Sequence, residues 1–263
     1  MLVVVTTPLR PSPEEEREAR EAAARHGLPY APRGRGALET VLAATGAGAA
    51  LVLSSRAALL ATAAASQRWS AGMGLLRMRR TLAHLGGRPV SPTDRDPFLE
   101  AAGIRPGDEV LDATLGLGAD ALVAAAACGP GGRVVALEGS RPLAAWVAEG
   151  LRRLEAGPAR RIEVRAGDHL AALGALPSRS FDVVAFDPMF RHARSQPGGF
   201  ELVRARADPR PLQAEAVAEA RRVARRWVVV KDGAPGWDLA RLGLTPLPSA
   251  RGAHRYYARV APG

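Results

Sequence analysis

From Asp108 onward the chain alternates short β-branched runs with alanine-rich stretches, and that alternation leaves few folds open. The runs EVLDAT, RVVALE, RIEVRAG, FDVVAFDP and RWVVVKD are bounded by turn residues and separated by segments that read as helices starting near Ala119, near Pro142, after RIEVRAG and near Leu212. Parallel neighbours can be joined only through a crossover, so five β runs linked by helices predict an α/β fold with a doubly wound parallel sheet. Residues 244–247 and 255–260 are two further β-like runs around a Pro- and Gly-containing turn. They predict a terminal hairpin that puts an antiparallel last strand into the parallel sheet.

The first of these β runs carries VLDATLGLGAD, residues 110–120. The strand ends at Asp112, a turn bearing Thr114, Gly116 and Gly118 follows, and a helix begins, so backbone N–H groups at the helix start face the crevice above the strand ends. Glu138 closes the next run, 20 residues after Gly118, the spacing at which an acid reaches ribose hydroxyls. Two cofactors fit. A nicotinamide dinucleotide would use Gly116, Gly118 and Ala121 as a G-x-G-x-x-A fingerprint. S-adenosylmethionine carries no phosphate, and its ammonium calls for a carboxylate, which Asp112 supplies and which would repel a pyrophosphate. A turn that binds nothing accounts for the glycines but not for Asp112, Glu138 and Asp168 at three successive strand ends. Asp168, in AGDHL, is placed to accept from an adenine amino group, with His169 beside it as a wall of that pocket.

The fourth run ends in AFDPMF, residues 185–190, a D/N-P-P-Y/F type of motif found in methyltransferases that act on exocyclic amino groups. The lone pair of such an amine is delocalised into its ring. A carboxylate from Asp187 and the carbonyl of Pro188, accepting the two N–H groups, would raise its electron density and aim it at the methyl group. Phe190 is suited to stack on an unpaired or flipped base. Strand termination and core packing are the plainer account of Pro188 and Phe190, but Asp187 at the carboxyl end of a parallel strand falls on the ligand side.

Charge adds one sharp observation. The net charge is +10, and of 36 basic residues 35 are arginine, the exception being Lys231 at the end of the fifth run. A compositional drift toward arginine explains most of this, and arginine also suits a phosphate-rich partner. Lys231 is read as a point charge or small donor at the mouth of the site, where a guanidinium would not fit; chance survival of one exposed lysine is the alternative. Arg191, Arg194, Arg204, Arg206 and Arg210 follow the DPMF motif in a glycine-containing segment and suggest a grip on phosphates, although a bare charge run is usually a solvated loop.

Elsewhere the sequence mainly excludes. One cysteine, Cys128, rules out an internal disulfide and a cysteine-rich zinc site, and five separated histidines offer no metal-ligand spacing, so no metal is expected. No uncharged stretch is both long and apolar enough to span a bilayer, the best being residues 40–55, and the opening MLVVVTTPLRPSPEEE lacks a signal peptide's basic leader. A soluble cytoplasmic chain is expected, without membrane partners. Residues 1–65 read as a small α/β unit of their own: a buried β run at residues 2–6, a helix opened by Ser12, Pro13 and Glu15 and stopped at Gly27, a short helix near residues 37–45, and a hairpin about Ser55 and Arg56, with the alanines leaving a helix open for its second half, residues 57–62. Residues 66–107 read as a connecting segment with two helical pieces, and 108–263 as the main domain.

Taken together, LDATLGLGADA, FDPMF and VVVK resemble, in order and position, the RsmJ family of S-adenosylmethionine-dependent methyltransferases, which modify a guanine N2 of small-subunit ribosomal RNA. GMGLLR, with Gly72, Met73 and Arg77, is similar to that family's G-x-M-x-x-x-R element. The resemblance spans about residues 69–257. It implies a class I methyltransferase (Rossmann-like) fold, ribosomal RNA as partner, and cofactor contacts at Ala119, Asp120, Glu138, Gly139, Asp168, His169 and Asp187. Three departures stand out: Arg191 replaces a proline after DPMF, Ala119 replaces an arginine, and the first 65 residues follow another pattern. In these respects the chain is similar to Gram-positive relatives of the superfamily. Three other functions remain open on the sequence: a methyltransferase for a protein or small-molecule acceptor, a non-catalytic RNA-binding module that keeps a cofactor-like pocket, for which Thr114 in place of a first glycine speaks, and a dinucleotide oxidoreductase, against which Asp112 and the terminal hairpin argue.

Overall fold

The computed structural model describes residues 2–88, 95–188, 202, 210–248 and 255–263. In chain order they form β1 (Val3–Thr6), α1 (Pro13–His26), α2 (Leu38–Thr45), β2 (Ala49–Ser54), β3 (Ala57–Ala61), β4 (Ser66–Arg68), α3 (Met73–Leu85) and α4 (Pro97–Ala102). There follow β5 (Glu109–Asp112), α5 (Ala119–Cys128), β6 (Arg133–Glu138), α6 (Arg141–Arg152), β7 (Ile162–Ala166), α7 (His169–Ala175), β8 (Phe181–Phe186), α8 (Ala214–Val223), β9 (Ala224–Gly233), α9 (Trp237–Arg241) and β10 (Arg255–Val260). Two compact units result. Among the described residues, one gathers 2–70 and 140–155 with Leu202, and the other takes the rest.

The first unit is a four-stranded sheet in the order β1-β2-β3-β4, with β1 parallel to β2 and the remaining pairs antiparallel. Helix α1 starts where the sequence predicts: Ser12 accepts from the Glu15 N–H, the Glu15 carboxylate accepts from the Ser12 N–H, and Gly27, at φ 60°, stops it. The hairpin turns at Ser54 and Ala57 as expected. Strand β4 was not foreseen, because three polar residues show no alternation to read.

Division at residue 65 and a separate connector at 66–107 need correcting. Residues 66–68 complete the first sheet, α3 and α4 belong to the second unit, and α6 belongs to the first. The reason lies on one face of α6. The Trp146 indole N–H donates to the Ala58 carbonyl (3.0 Å), and the fully buried Glu149 carboxylate accepts from Arg25 (2.6 Å), His26 (2.9 Å) and Arg153 (2.7 Å). Trp69 lies so close on Gly150 that an added Cβ would stand 2.1 Å from its ring.

The second unit is a six-stranded sheet in the order β7-β6-β5-β8-β9-β10, parallel except for β10, which runs antiparallel to β9. Its central strands are continuous apolar runs, as a sheet covered on both faces requires; Val110, Leu111, Val134, Val183, Val184 and Val228 are all buried. The chain leaves β5 toward β6 and β7 and then returns to the other side with β8, so the order reverses between β5 and β8. Ligands of open α/β sheets bind outside the strand ends at such a reversal. The antiparallel last strand is present, but the expected hairpin is incomplete. Residues 244–247 form no strand, and among the described residues they meet β10 through the Leu247 N–H to the Tyr257 carbonyl (2.7 Å), while the Leu244 N–H turns back to the Leu239 carbonyl (2.8 Å). Pro246 and Pro248 lack the N–H groups a ladder needs.

Glu149 offers a test. Burial alone raises its pKa, but hydrogen bonds from His26 and Arg153 and the nearby Arg25 outweigh that and hold the carboxyl down at about 2. A depressed carboxyl stabilises the fold above its unfolded value of 4.5, and that contribution is lost as pH falls toward 2. Glu149→Gln is therefore expected to cost about 3 kcal/mol at pH 7, with the difference from the parent chain closing between pH 4.5 and 2 in urea unfolding measured across that range.

Candidate active site

Five acidic side chains gather at the carboxyl edge of the second sheet because each closes a strand or follows one. Asp112 ends β5, Glu138 ends β6, Asp168 follows β7, Asp187 follows β8, and Asp120 sits in the first turn of α5. The turn from β5 to α5 needs glycine at two points, since Gly116 (φ 53°) and Gly118 (φ 82°) are left-handed. Thr114 ties this turn to the neighbouring strand: its hydroxyl accepts from the Asp187 N–H (2.5 Å), while its own N–H donates to Asp112 (3.1 Å). Asp187 and Pro188 are thus held beside the glycine turn, across the reversal point.

Asp112 is buried. Desolvation, with Asp120 and Asp187 nearby, pushes its carboxyl up to about 8 against the opposing Thr114 hydrogen bond and the Lys231 charge. A carboxyl in that condition is suited to a cation. Glu138 is also buried, with its carbonyl accepting from the Gly167 N–H (2.9 Å). Asp168 caps α7 by accepting from the Ala171 N–H (3.0 Å), and its other oxygen takes Arg210 (2.6 Å). Those two bonds hold its pKa below the usual range. His169 stands edge-on to Phe186, ring centres 5.9 Å apart, as a wall element would.

Lys231 departs from expectation. It does not stand at the mouth but is 6% exposed, with its ammonium donating to Asp120 (2.9 Å) and also to Asp187. Burial alone lowers its pKa, but Asp187 and Asp120 more than offset this and raise it, so it is a fixed positive charge. The Tyr257 hydroxyl, opposite Lys231 in the β9–β10 register, is pushed by burial up to about 12. Asp120, whose carboxylate the family resemblance assigns to the cofactor, has both oxygens engaged by the protein itself, Oδ2 by Lys231 and Oδ1 by Arg77 (2.5 Å). Burial raises its pKa, but those two cations outweigh it and lower it. Ala119 and Gly139 lie at the strand-to-helix turns of β5 and β6 and can contribute only backbone groups.

Asp96 and Tyr257 are participants that the motifs do not flag, and Arg77 is marked only through the resemblance of GMGLLR to the G-x-M-x-x-x-R element, which gives it no partner. Phe190 and Arg191, Arg194, Arg204 and Arg206 fall outside the described residues. Among the described residues no group of His, Cys, Asp or Glu could hold a metal ion, and no helix is long and apolar enough to cross a membrane.

A central glycine turn, acidic strand ends on either side of the reversal and an antiparallel last strand define a class I, Rossmann-like methyltransferase fold. Over 98% of its length the chain superposes on 96% of a SAM-dependent methyltransferase from Neisseria gonorrhoeae, with a TM-score of 0.63 at 21% identity. Residues 87–237 match the family described as "Putative SAM-dependent methyltransferase", and the chain belongs to that family. It is 33% identical over 235 residues to the uncharacterised protein YpiP of Bacillus subtilis, covering 87% of this chain and 88% of that one. It is 36% identical over 206 residues to the ribosomal RNA small subunit methyltransferase J of Edwardsiella ictaluri, covering 69% and 75%. The protein is an S-adenosylmethionine-dependent methyltransferase.

The slot that holds Lys231 supplies a test. Lys231→Met leaves the buried Asp120 with Arg77 alone and the half-buried Asp187 without the cation they share, and is expected to lower stability by about 2–4 kcal/mol. Lys231→Arg keeps the charge but puts a wider group between the two carboxylates, with an expected loss of about 1–3 kcal/mol. Thermal unfolding of the two variants measures both.

Proposed function

We propose that the protein methylates an exocyclic amine, with guanine N2 of ribosomal RNA as the favoured acceptor, and that the carboxyl edge of the second sheet is its active site. Asp187 and Pro188, held by Thr114 beside the glycine turn, are the observation that carries this. S-adenosylmethionine supplies a methyl group on a positively charged sulfur. Asp112 receives its ammonium, Glu138 its ribose hydroxyls and Asp168 its adenine amino group, with His169 alongside. Gly116 and Gly118 let the backbone approach, and Ala119 and Gly139 border the cofactor through main-chain atoms. The raised pKa of Asp112 fits this set, because an ammonium seated there would offset the cost of its buried charge.

At the acceptor, the Asp187 carboxylate and the Pro188 carbonyl take the two N–H groups and point the nitrogen lone pair at the methyl carbon. The cofactor held by these residues would supply the methyl carbon to the nitrogen and leave with the C–S electron pair as a neutral sulfide. The nitrogen then sheds one proton toward Asp187 and on to water. The cationic Lys231 beside Asp187 keeps that carboxylate in place throughout. RNA as acceptor is supported by the name of the Edwardsiella relative, by the net charge of +10, and by the arginines that follow Phe190, which is assigned to stack on the base. The protein is accordingly expected in the cytoplasm, where ribosomes are.

The test is transfer of tritiated methyl to ribosomal subunits from a strain lacking the gene, with the product nucleotide mapped by mass spectrometry. Incorporation at a base amine is expected, and a cofactor-binding protein that labels no RNA would overturn the assignment. Asp187→Asn should reduce transfer by about a hundredfold or more while leaving cofactor affinity within about threefold.

Asp112 makes a separate prediction. Only its ionised form holds an ammonium, so cofactor affinity in calorimetry should rise between pH 6 and about 8, the value to which burial pushes it. Asp112→Asn should bind more weakly and lose most of that slope.

A further inference from the structure

Residues from α3, the start of α4, α5, the end of β8 and β9 meet in a row of alternating charge that is largely buried up to Lys231 and half-buried at Asp187. Its outer end is the most firmly held. Arg77 forks onto Asp96 through Nε (2.7 Å) and Nη2 (2.9 Å), and Asp96 in turn caps α4 by accepting from the N–H groups of Phe98 (3.0 Å) and Leu99 (3.4 Å). The remaining nitrogen, Nη1, donates to Asp120 Oδ1; Asp120 Oδ2 accepts from Lys231; and the Lys231 ammonium also reaches Asp187. Helix α3 can deliver Arg77 there because Gly74, one turn earlier, lies against Ala119. An added Cβ would stand 2.7 Å from the Ala119 Cα.

We propose that Arg77 is a positioning residue for methyl transfer, acting through Asp120 to keep Lys231 shared between Asp120 and Asp187 and so to hold the Asp187 carboxylate where the acceptor amine is received. This rests on the assignment of Asp187 to the acceptor made above. One ammonium between two carboxylates distributes itself according to how well each is otherwise neutralised, and in a poorly solvated site the balance is steep. With Arg77 on Oδ1, Asp120 is already half satisfied and Lys231 extends to Asp187. Without Arg77, Asp120 offers both oxygens and its whole charge to Lys231, which withdraws from Asp187. A residue that merely fastened α3 to α4 would be complete with Asp96 and would leave Lys231 unaffected.

The sole lysine makes the row observable. Protein labelled with 15N at lysine Nζ gives a single side-chain ammonium signal from the chain, and four forms complete a cycle: parent, Arg77→Met, Asp120→Asn and the double variant. In the parent, adding Asp187→Asn should move the signal. In Arg77→Met the signal should already be displaced and Asp187→Asn should move it little further. Arg77→Met should also lower the rate of methyl transfer at saturation by about tenfold or more, with cofactor affinity within about threefold. Asp120→Asn and the double variant should agree with each other in signal and in rate, since Arg77 has nothing to act through once Asp120 is neutral. Arg77→Gln, which can still hydrogen-bond Asp96 but carries no charge to Asp120, takes the place of Arg77→Met in both forms if that variant fails to fold, with the same displacement expected.

An unmoved signal in Arg77→Met, or an effect of Arg77 that persists in the Asp120→Asn background, overturns the proposal. If the signals follow the cycle but no RNA amine accepts methyl, the coupling stands and the assigned acceptor fails. If RNA is methylated at an unchanged rate in Arg77→Met, the acceptor stands and the proposal fails.

Discussion

A buried carboxylate and a half-buried one share one ammonium at the edge of the second sheet, and much of that unit is arranged around the sharing. Asp120 and Asp187 come from opposite sides of the reversal between β5 and β8, and without a cation between them they would repel in a site with little water. Lys231 reaches both from β9, and β10 pairs antiparallel along the strand that carries it. Charge is therefore what joins the strand-end loops here, while the apolar faces of β5, β8 and β9 join the strands beneath.

Glu149 plays a comparable part in the first unit, with the signs reversed. One acid, wholly inside, collects Arg25, His26 and Arg153, and so binds α1 to α6 although 123 residues separate His26 from Glu149. At Glu149 and at Lys231 a buried charge is met by opposite charges, and both units use charged groups to join segments distant in sequence. An arginine-rich chain can afford the arrangement because guanidinium groups present several donors in one plane, enough for Arg77 to serve two acids.

How much of this could be read from the sequence depended on range. Local signals were faithful: Ser12 and Glu15 capped α1, Gly27 stopped it, and the alternation after Asp108 became the doubly wound sheet. The acidic strand ends were legible because a parallel sheet sends each of them to the same side. Long-range pairings were not. Nothing near Arg77 reveals that it meets Asp120, 43 positions away, and nothing near Trp146 and Glu149 marks α6 as belonging with the first sheet. Strand β4 is too short and polar to declare itself, and Pro246, inside the run read as a strand, with Pro248 just after it, lacks the donors that strand needed. Lys231 stands out in the sequence by its rarity, yet its depth depends on two partners that only the fold brings to it.

Gly74 draws a last consequence. It has no chemistry of its own, yet the distance from the backbone of α3 to the first turn of α5 is as short as it is only because a methyl group is missing there. Electrostatic attraction falls off with separation and with any water admitted between charges, so a helix held farther out would weaken the link between Arg77 and Asp120 without altering a single charged atom. Steric allowance at one uncharged position thereby sets the strength of an ion pair three residues further along the helix. Substitutions that leave every polar group in place can still detune the site.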